Sequence, residues 1–502
     1  MRRIRVFLFN GILLVLAGFG MKSIEMLFSV YISNKIGTEA VGIYQLIMSV
    51  YIFSITLANS GINLATTRII SEQDAYGLAG GVKKAMRKCL TYSIFTGSCA
   101  CIILFLFAPF ACVHFLHGKV SEISLQVLGL SLPFLALSSC INGYFSGLRK
   151  VKKTVYYQVF EEFFKICIVV YLLNFIFPPN TTEQACISLV LSSTISETLS
   201  FCFLFFLYLK DKVSFGNVKS ISQKKEGYTR QILKIALPIS FTSYIRSGLS
   251  CLKQVLIPLQ LEKSGISCEL ALSQYGIING MVFPLIMFPC TFVYSFSSLL
   301  IPEFSYMNAK KEVKKMNYVL TRIFKFCFIF SFLVMGFFWC FSKELNQFIY
   351  PSNDVSNFIK LLCPLVILMY IDNVVDSILK GLDKQVSVMG INILDLVTTI
   401  SLIYFLLPFK GVSGYIFALY VSEILNGVLS LLLLIRETNF KIDFSNFIIK
   451  PALCIVILNF IFSHFILTES LLNFIVYGII FIILYFSLLF LFKALVRKDF
   501  KL

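Results

Sequence analysis

The residues most able to do chemistry in this 502-residue chain are ionisable side chains that stand inside long apolar stretches. A charge near the middle of a bilayer costs roughly 2.5–3.5 kcal/mol on insertion scales, so such residues are expected to face the protein interior or water. Bases in that setting could hold an anion, whereas acids could take up a cation or a proton. The candidates are Lys22, Glu25, Glu161, Glu162, Lys165, Glu197, Arg246, Lys253, Asp372, Asp376, Asp395 and Glu423.

The clearest bases stand on the first and the seventh apolar segments. Lys22 and Glu25 are three residues apart, and Arg246 and Lys253 are seven apart, so each pair shares one helix face. A guanidinium binds phosphate oxygens in a forked geometry, and an ammonium acts as a point charge, which predicts an anion site. The alternative is that Lys22 only pairs with Glu25 and that Lys253 extends outward to the interface. Arg68, near the end of the second segment, could contact a charged head group or serve as an interfacial anchor.

The acids inside the segments allow two interpretations. Asp372 and Asp376 are four residues apart and could line a cavity, or form a self-neutralising row with Lys380. Four further acids occupy duplicated positions, and we expect them to fix helix packing through hydrogen bonds. The alternative for all six is a carboxylate that takes up Na⁺ or H⁺ and couples an ion gradient to a conformational change. The four duplicated acids are Glu161, Asp395, Glu197 and Glu423.

Composition argues against other chemistry. The chain is 58% hydrophobic, and its 15 cysteines are scattered without a CxxC pair, while only three histidines are present. Cysteines in that pattern are typical of small core residues, so we expect no metal site. No ATP-binding motif stands in the hydrophilic connections. We therefore expect no catalytic residues, no cofactor and no enzymatic activity.

The elements that position these residues are fourteen apolar segments, each of about twenty residues or more. A hydrocarbon core roughly 30 Å thick takes about 20 helical residues to cross, and helices satisfy their own backbone groups there. The predicted fold class is therefore an all-α integral membrane protein with 14 transmembrane helices. Most of the 44 Lys and Arg fall in alternate loops and the two termini, which predicts cytoplasmic termini. Anionic lipid head groups then account for the net charge of +18, and no nucleic-acid partner is needed.

The chain also repeats itself. A Leu-Pro pair leading to Gly147-Leu-Arg-Lys recurs as a Cys-Pro pair leading to Gly381-Leu-Asp-Lys, and further matches keep the same order. An even number of helices per copy gives parallel repeats, related by an axis along the membrane normal. The prediction is two six-helix lobes around a central cleft, followed by a C-terminal helix pair. The limits are 1–209 for the N-lobe, 210–232 for a basic cytoplasmic linker, 233–436 for the C-lobe and 437–502 for the last two helices.

Several motifs make the chain similar to a known family. They are SNKIGTEAVGIYQL at 33–46, NSGINLATTRIISE at 59–72, GYFSGL at 143–148 and QVFE at 158–161. These stretches resemble polysaccharide exporters and lipid-linked oligosaccharide flippases of the multidrug/oligosaccharidyl-lipid/polysaccharide exporter superfamily. Within that group the resemblance is to the stage V sporulation protein B type. One departure is Asn63-Leu64, where the family more often has a proline.

The resemblance implies a plasma-membrane flippase or exporter that works by alternating access. Its expected cargo is an undecaprenyl-pyrophosphate-linked saccharide or a peptidoglycan precursor, moved from the cytoplasmic to the outer leaflet in spore cortex or cell-envelope synthesis. Its expected partners are that lipid-linked saccharide and membrane lipids, and we expect a monomer. The main alternative is an ion-coupled multidrug or cation antiporter on the same fold. A membrane glycan polymerase or ligase would need catalytic residues in a sizeable outer loop, and the predicted outer loops are short.

Overall fold

The computed structural model describes residues 2–76, 79–115, 122–178, 181–214, 227–351, 354–440, 443–465 and 470–495. Within these ranges the chain is helical and contains no strand, which confirms the all-α class. Three π-helical turns accompany the helices: Leu172–Ile176 after α6, Ile277–Val282 after α9 and Ser445–Ile449 before α17. The helices are α1 Arg2–Ile36, α2 Thr38–Asn59, α3 Ile62–Ala75, α4 Ala79–His114, α5 Glu122–Gly147, α6 Val151–Tyr171, α7 Thr182–Ser214, α8 Tyr228–Lys263, α9 Cys268–Gly276, α10 Phe283–Met287, α11 Cys290–Ala309, α12 Val313–Cys340, α13 Ser342–Ile349, α14 Ser356–Leu362, α15 Leu365–Gly381, α16 Gln385–Thr438, α17 Lys450–Phe465 and α18 Leu471–Leu491.

The described residues contain nine spans that are long and apolar enough to cross a membrane, or ten if the bent pair α14 and α15 counts as one. Helices α1, α6, α8 and α11 fall outside that set. One of the nine, α16, has 54 residues, or about 80 Å at the helical rise, which exceeds a single bilayer crossing. It is broken at Gly411, whose φ of 55° is non-helical. The count of fourteen spans stays a prediction.

Contacts divide the chain into two compact units. The first unit comprises Met1–Thr38, Gln260–Ile266 and Ile277–Leu502, and the second comprises Glu39–Leu259 and Ser267–Gly276. Helix α1 thus belongs to the first unit and most of α8 to the second. The predicted N-lobe, 1–209, includes α1, and the predicted C-lobe, 233–436, includes most of α8, so the sequence groups these two helices differently from the contacts. The lobe limits stay a prediction. Most of the predicted linker 210–232 lies outside the described residues.

The second unit is built on close contacts of α5. Its Gly143 lies against α3, where an added Cβ would be 2.6 Å from the carbonyl oxygen of Asn63. On the other side, a Cβ at Gly97 of α4 would lie 2.7 Å from Cα of Pro133 in α5. Small residues at such points let helix backbones approach, which is how helices associate where no hydrophobic force drives them together. Helix α5 therefore holds α3 and α4 in place.

Helices α2 and α3 are separated by a break at Ser60-Gly61. Both residues have positive φ, 40° and 66°, and Gly61 supplies the left-handed conformation that other residues rarely adopt. A Cβ at Gly61 would also lie 2.9 Å from the carbonyl oxygen of Ala236 in α8. The missing proline at Asn63-Leu64 does not remove this bend, because glycine and the close packing of α8 produce it.

The turn after α5 recurs after α15. In the first turn Arg149 has φ 57°, and in the second Asp383 has φ 63°. The amide of Lys150 donates to the Phe145 carbonyl, and the amide of Lys384 donates to the Leu379 carbonyl, both at 2.8–2.9 Å. The equivalent residues stand 234 positions apart. The repeat seen in the sequence therefore corresponds to a repeated local structure.

Candidate functional site

Lys22 and Glu25 form an ion pair on α1. Their side chains are 55% and 52% exposed, so the pair is open to its surroundings. The i,i+3 spacing on one helix face brings the two groups together. The structure therefore contains the pair of Lys22 and Glu25 that the sequence offered as an alternative to an anion site. The net charge of this pair is zero.

Arg246 lies on the exposed surface of α8 within the second unit. No ion pair or hydrogen bond joins its guanidinium to another described residue, which leaves its five donors available. The hydroxyls of Ser247 and Thr56, 3.1 Å apart, tie this part of α8 to α2. Lys253, two turns later, is half-buried and already has an interaction partner. Of the two bases, only Arg246 has no ion pair or hydrogen bond to another residue that the structure describes.

Lys22 and Arg246 belong to different compact units. An anion site that contains both bases stays a prediction. Arg68, on α3, belongs to the second unit with Arg246. Its side chain is 68% exposed, and its Nε lies 3.3 Å from Oε1 of Glu72 one turn later.

Asp372 and Asp376 belong to a polar network in the first unit. Asn426 of α16 donates to Asp372 at 3.1 Å and to the side-chain oxygen of Asn392 at 3.3 Å. Asn392 donates in turn to Asp376 at 3.5 Å, and Lys380 lies 3.9 Å from the same carboxylate. Oδ1 of Asp372 and Oδ1 of Asn426 are buried without a hydrogen-bond partner in the described chain. The network joins α15 to both halves of α16.

The duplicated acids lie in different surroundings. Asp395 accepts a hydrogen bond of 2.6 Å from Ser422, which links the two halves of α16. Glu197 accepts from the hydroxyl of Tyr51, which also bonds Ser131, so α2, α5 and α7 meet at this carboxylate. The structural role expected for Asp395 and Glu197 stays a prediction.

The two remaining duplicated acids are half-buried. Glu161 lies on α6 beside Tyr157. Glu423 lies on α16 and has a partner of its own. Whether any of the duplicated acids takes up an ion stays a prediction.

Sequence reasoning missed a buried acid at the end of α7. Asp211 is only 5% exposed, and its carboxylate accepts hydrogen bonds from Lys150 at 2.7 Å, Lys153 at 2.5 Å and Tyr144 at 2.9 Å. The residue was assigned to the basic linker, where an acid among lysines suggests only a solvated loop. Its counterpart in the other copy is Glu437, which lies 2.8 Å from Lys384. The internal repeat could have revealed this pair of acids, because Asp211 and Glu437 stand 226 positions apart, the same spacing as Glu197 and Glu423.

The sequence profile of the polysaccharide biosynthesis protein family matches residues 7–308, more than half of the chain. The chain belongs to this family. A second profile, that of the MatE family, matches residues 264–405. With the long apolar helices described above, membership in the polysaccharide biosynthesis protein family identifies a multi-pass membrane protein.

One relative and two solved structures are similar to this chain in sequence or in fold. Stage V sporulation protein B of Bacillus subtilis (strain 168) is 26% identical over 429 residues, which cover 84% of this chain and 82% of that protein. A structure of the lipid II flippase MurJ in an inward closed conformation superposes with a TM-score of 0.74 at 14% identity, covering 97% of this chain and 100% of that one. An inward-facing multidrug resistance MATE family transporter of the MOP superfamily gives 0.65 at 12% identity, covering 84% and 97%. At these identities the structural likenesses show a shared fold.

Proposed function

We propose that the protein is a flippase that moves a lipid-linked saccharide or peptidoglycan precursor from the cytoplasmic to the outer leaflet by alternating access. The single observation that carries this proposal is Arg246, a guanidinium on α8 without an ion-pair partner among the described residues. A fixed positive charge on a membrane helix is costly unless it meets water or an anion. A diphosphate offers several oxygens to the forked guanidinium, and the charge-assisted bonds formed are about twice as strong as neutral ones.

Lys22 is the second base in this proposal. Its pair with Glu25 is half-exposed, and such pairs contribute only about 0–1 kcal/mol. A diphosphate with two or more negative charges competes with one carboxylate for the same ammonium. Glu25 is then displaced when cargo binds and returns when cargo leaves. Lys253 supports Arg246 from the same helix face.

Direction requires that cargo binding favours one conformational state over the other. A membrane potential that is negative inside assists outward movement of an anionic head group by about 2.3 kcal/mol per charge and 100 mV. The remaining free energy for net outward transport comes from consumption of the product outside, or from uptake of Na⁺ or H⁺ by Asp372 and Asp376. The relatives that support this function carry the names lipid II flippase and stage V sporulation protein B.

The test is complementation of a flippase-deficient strain by Lys22→Ala/Arg246→Ala in the full-length chain. The double variant should reach the membrane at the wild-type level and fail to support growth. Lys84→Ala/Lys88→Ala is the matched control, because it also removes two exposed bases, both on α4, and it should grow normally. Normal growth of the Lys22→Ala/Arg246→Ala strain would overturn the assignment of this site.

An ion-coupled drug or cation antiporter remains the second candidate. The MatE profile match and the fold shared with MATE transporters favour it, as does the acidic network around Asp372 and Asp376. A cavity for cations should be centred on acids, and Arg246 would repel such a substrate. Loss of dye resistance without accumulation of a lipid-linked precursor would support the antiporter.

A further inference from the structure

A groove of about 430 Å³ lies between the second half of α3 and the first three turns of α8. All of its lining residues belong to the second unit. Its polar wall consists of Arg68 and Glu72 on α3 and of Gln231 and Lys234 on α8, and isoleucines and Pro238 complete the lining. It is therefore a groove with one basic side chain on each of two helices.

The two helices are fixed at both ends of this groove. At one end Gly61 packs so closely on α8 that a Cβ there would lie 2.9 Å from the carbonyl oxygen of Ala236. At the other end the hydroxyl of Tyr228 donates to the side chain of Gln73 at 3.3 Å. Because both ends are held, the groove is formed before any ligand arrives.

The lining of the groove carries more basic than acidic side chains. Arg68 uses its Nε to contact Glu72, and exposed pairs of this kind contribute little to stability. Within the described chain, neither the terminal amino groups of Arg68 nor the ammonium of Lys234 has another ion pair or hydrogen bond. Arg230, exposed and one turn before Lys234, adds a further charge. The groove thus contains two bases, one from each helix, and only one acid in its lining. Such a charge balance suits an anion with several oxygens.

The distribution of apolar side chains indicates that this anion is carried on a lipid. On α3, Leu64 lies one turn before Arg68 and is 57% exposed. On α8, Pro238 lies one turn after Lys234, and Phe241, 67% exposed, lies one turn further. In each helix the base stands nearer the base-rich loops and the apolar surface stands deeper in the span. A phosphate at the interface with a hydrocarbon chain beside it fits this order.

The internal repeat indicates that Arg68 is not needed for packing. The contact of α3 with Gly147 recurs in the second copy, where Gly381 meets Ile301 and Phe304. The residue equivalent to Arg68 in that copy, 234 positions later, is Pro302. The shared packing therefore forms without a base at this position.

We propose that this groove binds the phosphate or diphosphate group of a membrane lipid, through Arg68 and Lys234. The lipid is either a phospholipid of the bilayer or, if the proposed function holds, the lipid-linked cargo before it crosses. Only the identity of the cargo rests on the proposed function, since the binding chemistry is the same for both sources.

The test is lipid binding to the purified full-length chain, followed by native mass spectrometry. The probes are undecaprenyl diphosphate, phosphatidylglycerol and phosphatidylcholine, with inorganic pyrophosphate as a competitor. Arg68→Gln/Lys234→Gln should bind at least one of the two anionic lipids roughly tenfold more weakly or worse, because two charge-assisted hydrogen bonds are lost. Lys84→Gln/Lys88→Gln, which removes two exposed bases of α4, should stay within about twofold of wild type.

The arms of the experiment separate the sources. A loss confined to undecaprenyl diphosphate assigns the groove to cargo, and a loss confined to phosphatidylglycerol assigns it to bilayer lipid. Displacement by inorganic pyrophosphate at a similar affinity would overturn the lipid requirement. Equal binding of both lipids by Arg68→Gln/Lys234→Gln and wild type, or an equal loss in the control, would overturn the site.

Folding and transport are controlled separately. Arg68→Lys/Lys234→Arg preserves both charges and should restore binding, and an unfolding curve of the Gln variant equal to that of wild type shows that its lost binding is not lost folding. Binding is measured without transport, so this result is independent of the complementation test on Lys22 and Arg246. The groove hypothesis and the flippase hypothesis can therefore fail separately.

Discussion

Gly147 and Gly381 occupy equivalent positions in the two copies of the repeat and make the same contact. A Cβ at Gly147 would lie 2.9 Å from the carbonyl oxygen of Thr67, and one at Gly381 would lie 2.8 Å from that of Ile301. Both glycines end a helix that is followed by a residue with positive φ, Arg149 or Asp383. The same backbone approach is thus used twice.

Gly147→Ala and Gly381→Ala should each destabilise the protein by about 1–3 kcal/mol, because the added methyl group meets backbone rather than a flexible side chain. Gly390→Ala is the matched control, since a Cβ there meets no atom within 4 Å, and it should be neutral or stabilise by up to about 1 kcal/mol. Unfolding of the purified variants in detergent measures the difference. Equal unfolding curves for all three would contradict the close contact.

Asp211 at the end of α7 should contribute more to the free energy of unfolding than Glu437 at the end of α16. Asp211 is almost fully buried and bonded to two lysines, so Asp211→Asn should lower the free energy of unfolding by about 1–3 kcal/mol. Glu437 is 28% exposed and has one partner, Lys384, so Glu437→Gln should cost about 0.2–1 kcal/mol. Denaturant titration of both variants checks the order. A larger loss for Glu437→Gln would contradict this account.

Tyr51 should matter for stability more than for transport. Its hydroxyl bonds both Glu197 and Ser131 in a buried position, so Tyr51→Phe removes two buried hydrogen bonds and should cost about 1–3 kcal/mol. Glu197→Gln keeps the shape of the side chain and should support growth in a flippase-deficient strain. If Glu197→Gln instead folds normally and fails to support growth, Glu197 is a coupling residue.

The all-α class and the membrane setting follow from the sequence, because long apolar segments can cross a bilayer only as helices or closed barrels. The i,i+3 spacing also offered the contact of Lys22 with Glu25, as the alternative to an anion site. Local breaks were harder to predict, since Ser60-Gly61 and Gly411 depend on backbone conformations that a hydropathy pattern does not record. The grouping of α1 with later helices could not be predicted either, because it depends on contacts between segments distant in sequence.

The candidate site was predicted less completely than the fold. Arg246 could be found from its charge inside an apolar stretch, but only the structure shows that no described residue forms an ion pair with it. Lys234 was missed because a base at the start of a membrane helix is ordinary interfacial anchoring. Its proximity to Arg68 depends on the close approach of Gly61 to Ala236, which joins residues far apart in the chain.

The second candidate function predicts a different phenotype. If the protein exports cations, Asp372→Asn/Asp376→Asn should abolish dye resistance while leaving the lipid-linked precursor pool unchanged. The flippase hypothesis predicts unchanged dye resistance in the same variant. Dye susceptibility measured in parallel with precursor content distinguishes the two.

The most direct measurement is the amount of lipid-linked precursor in the inner leaflet of cells depleted of this protein. Flipping predicts that the precursor accumulates inside within one depletion period and that wild-type protein, but not Lys22→Ala/Arg246→Ala, reverses the accumulation. An unchanged precursor pool after depletion, with normal delivery to the outer leaflet, would contradict the proposed function.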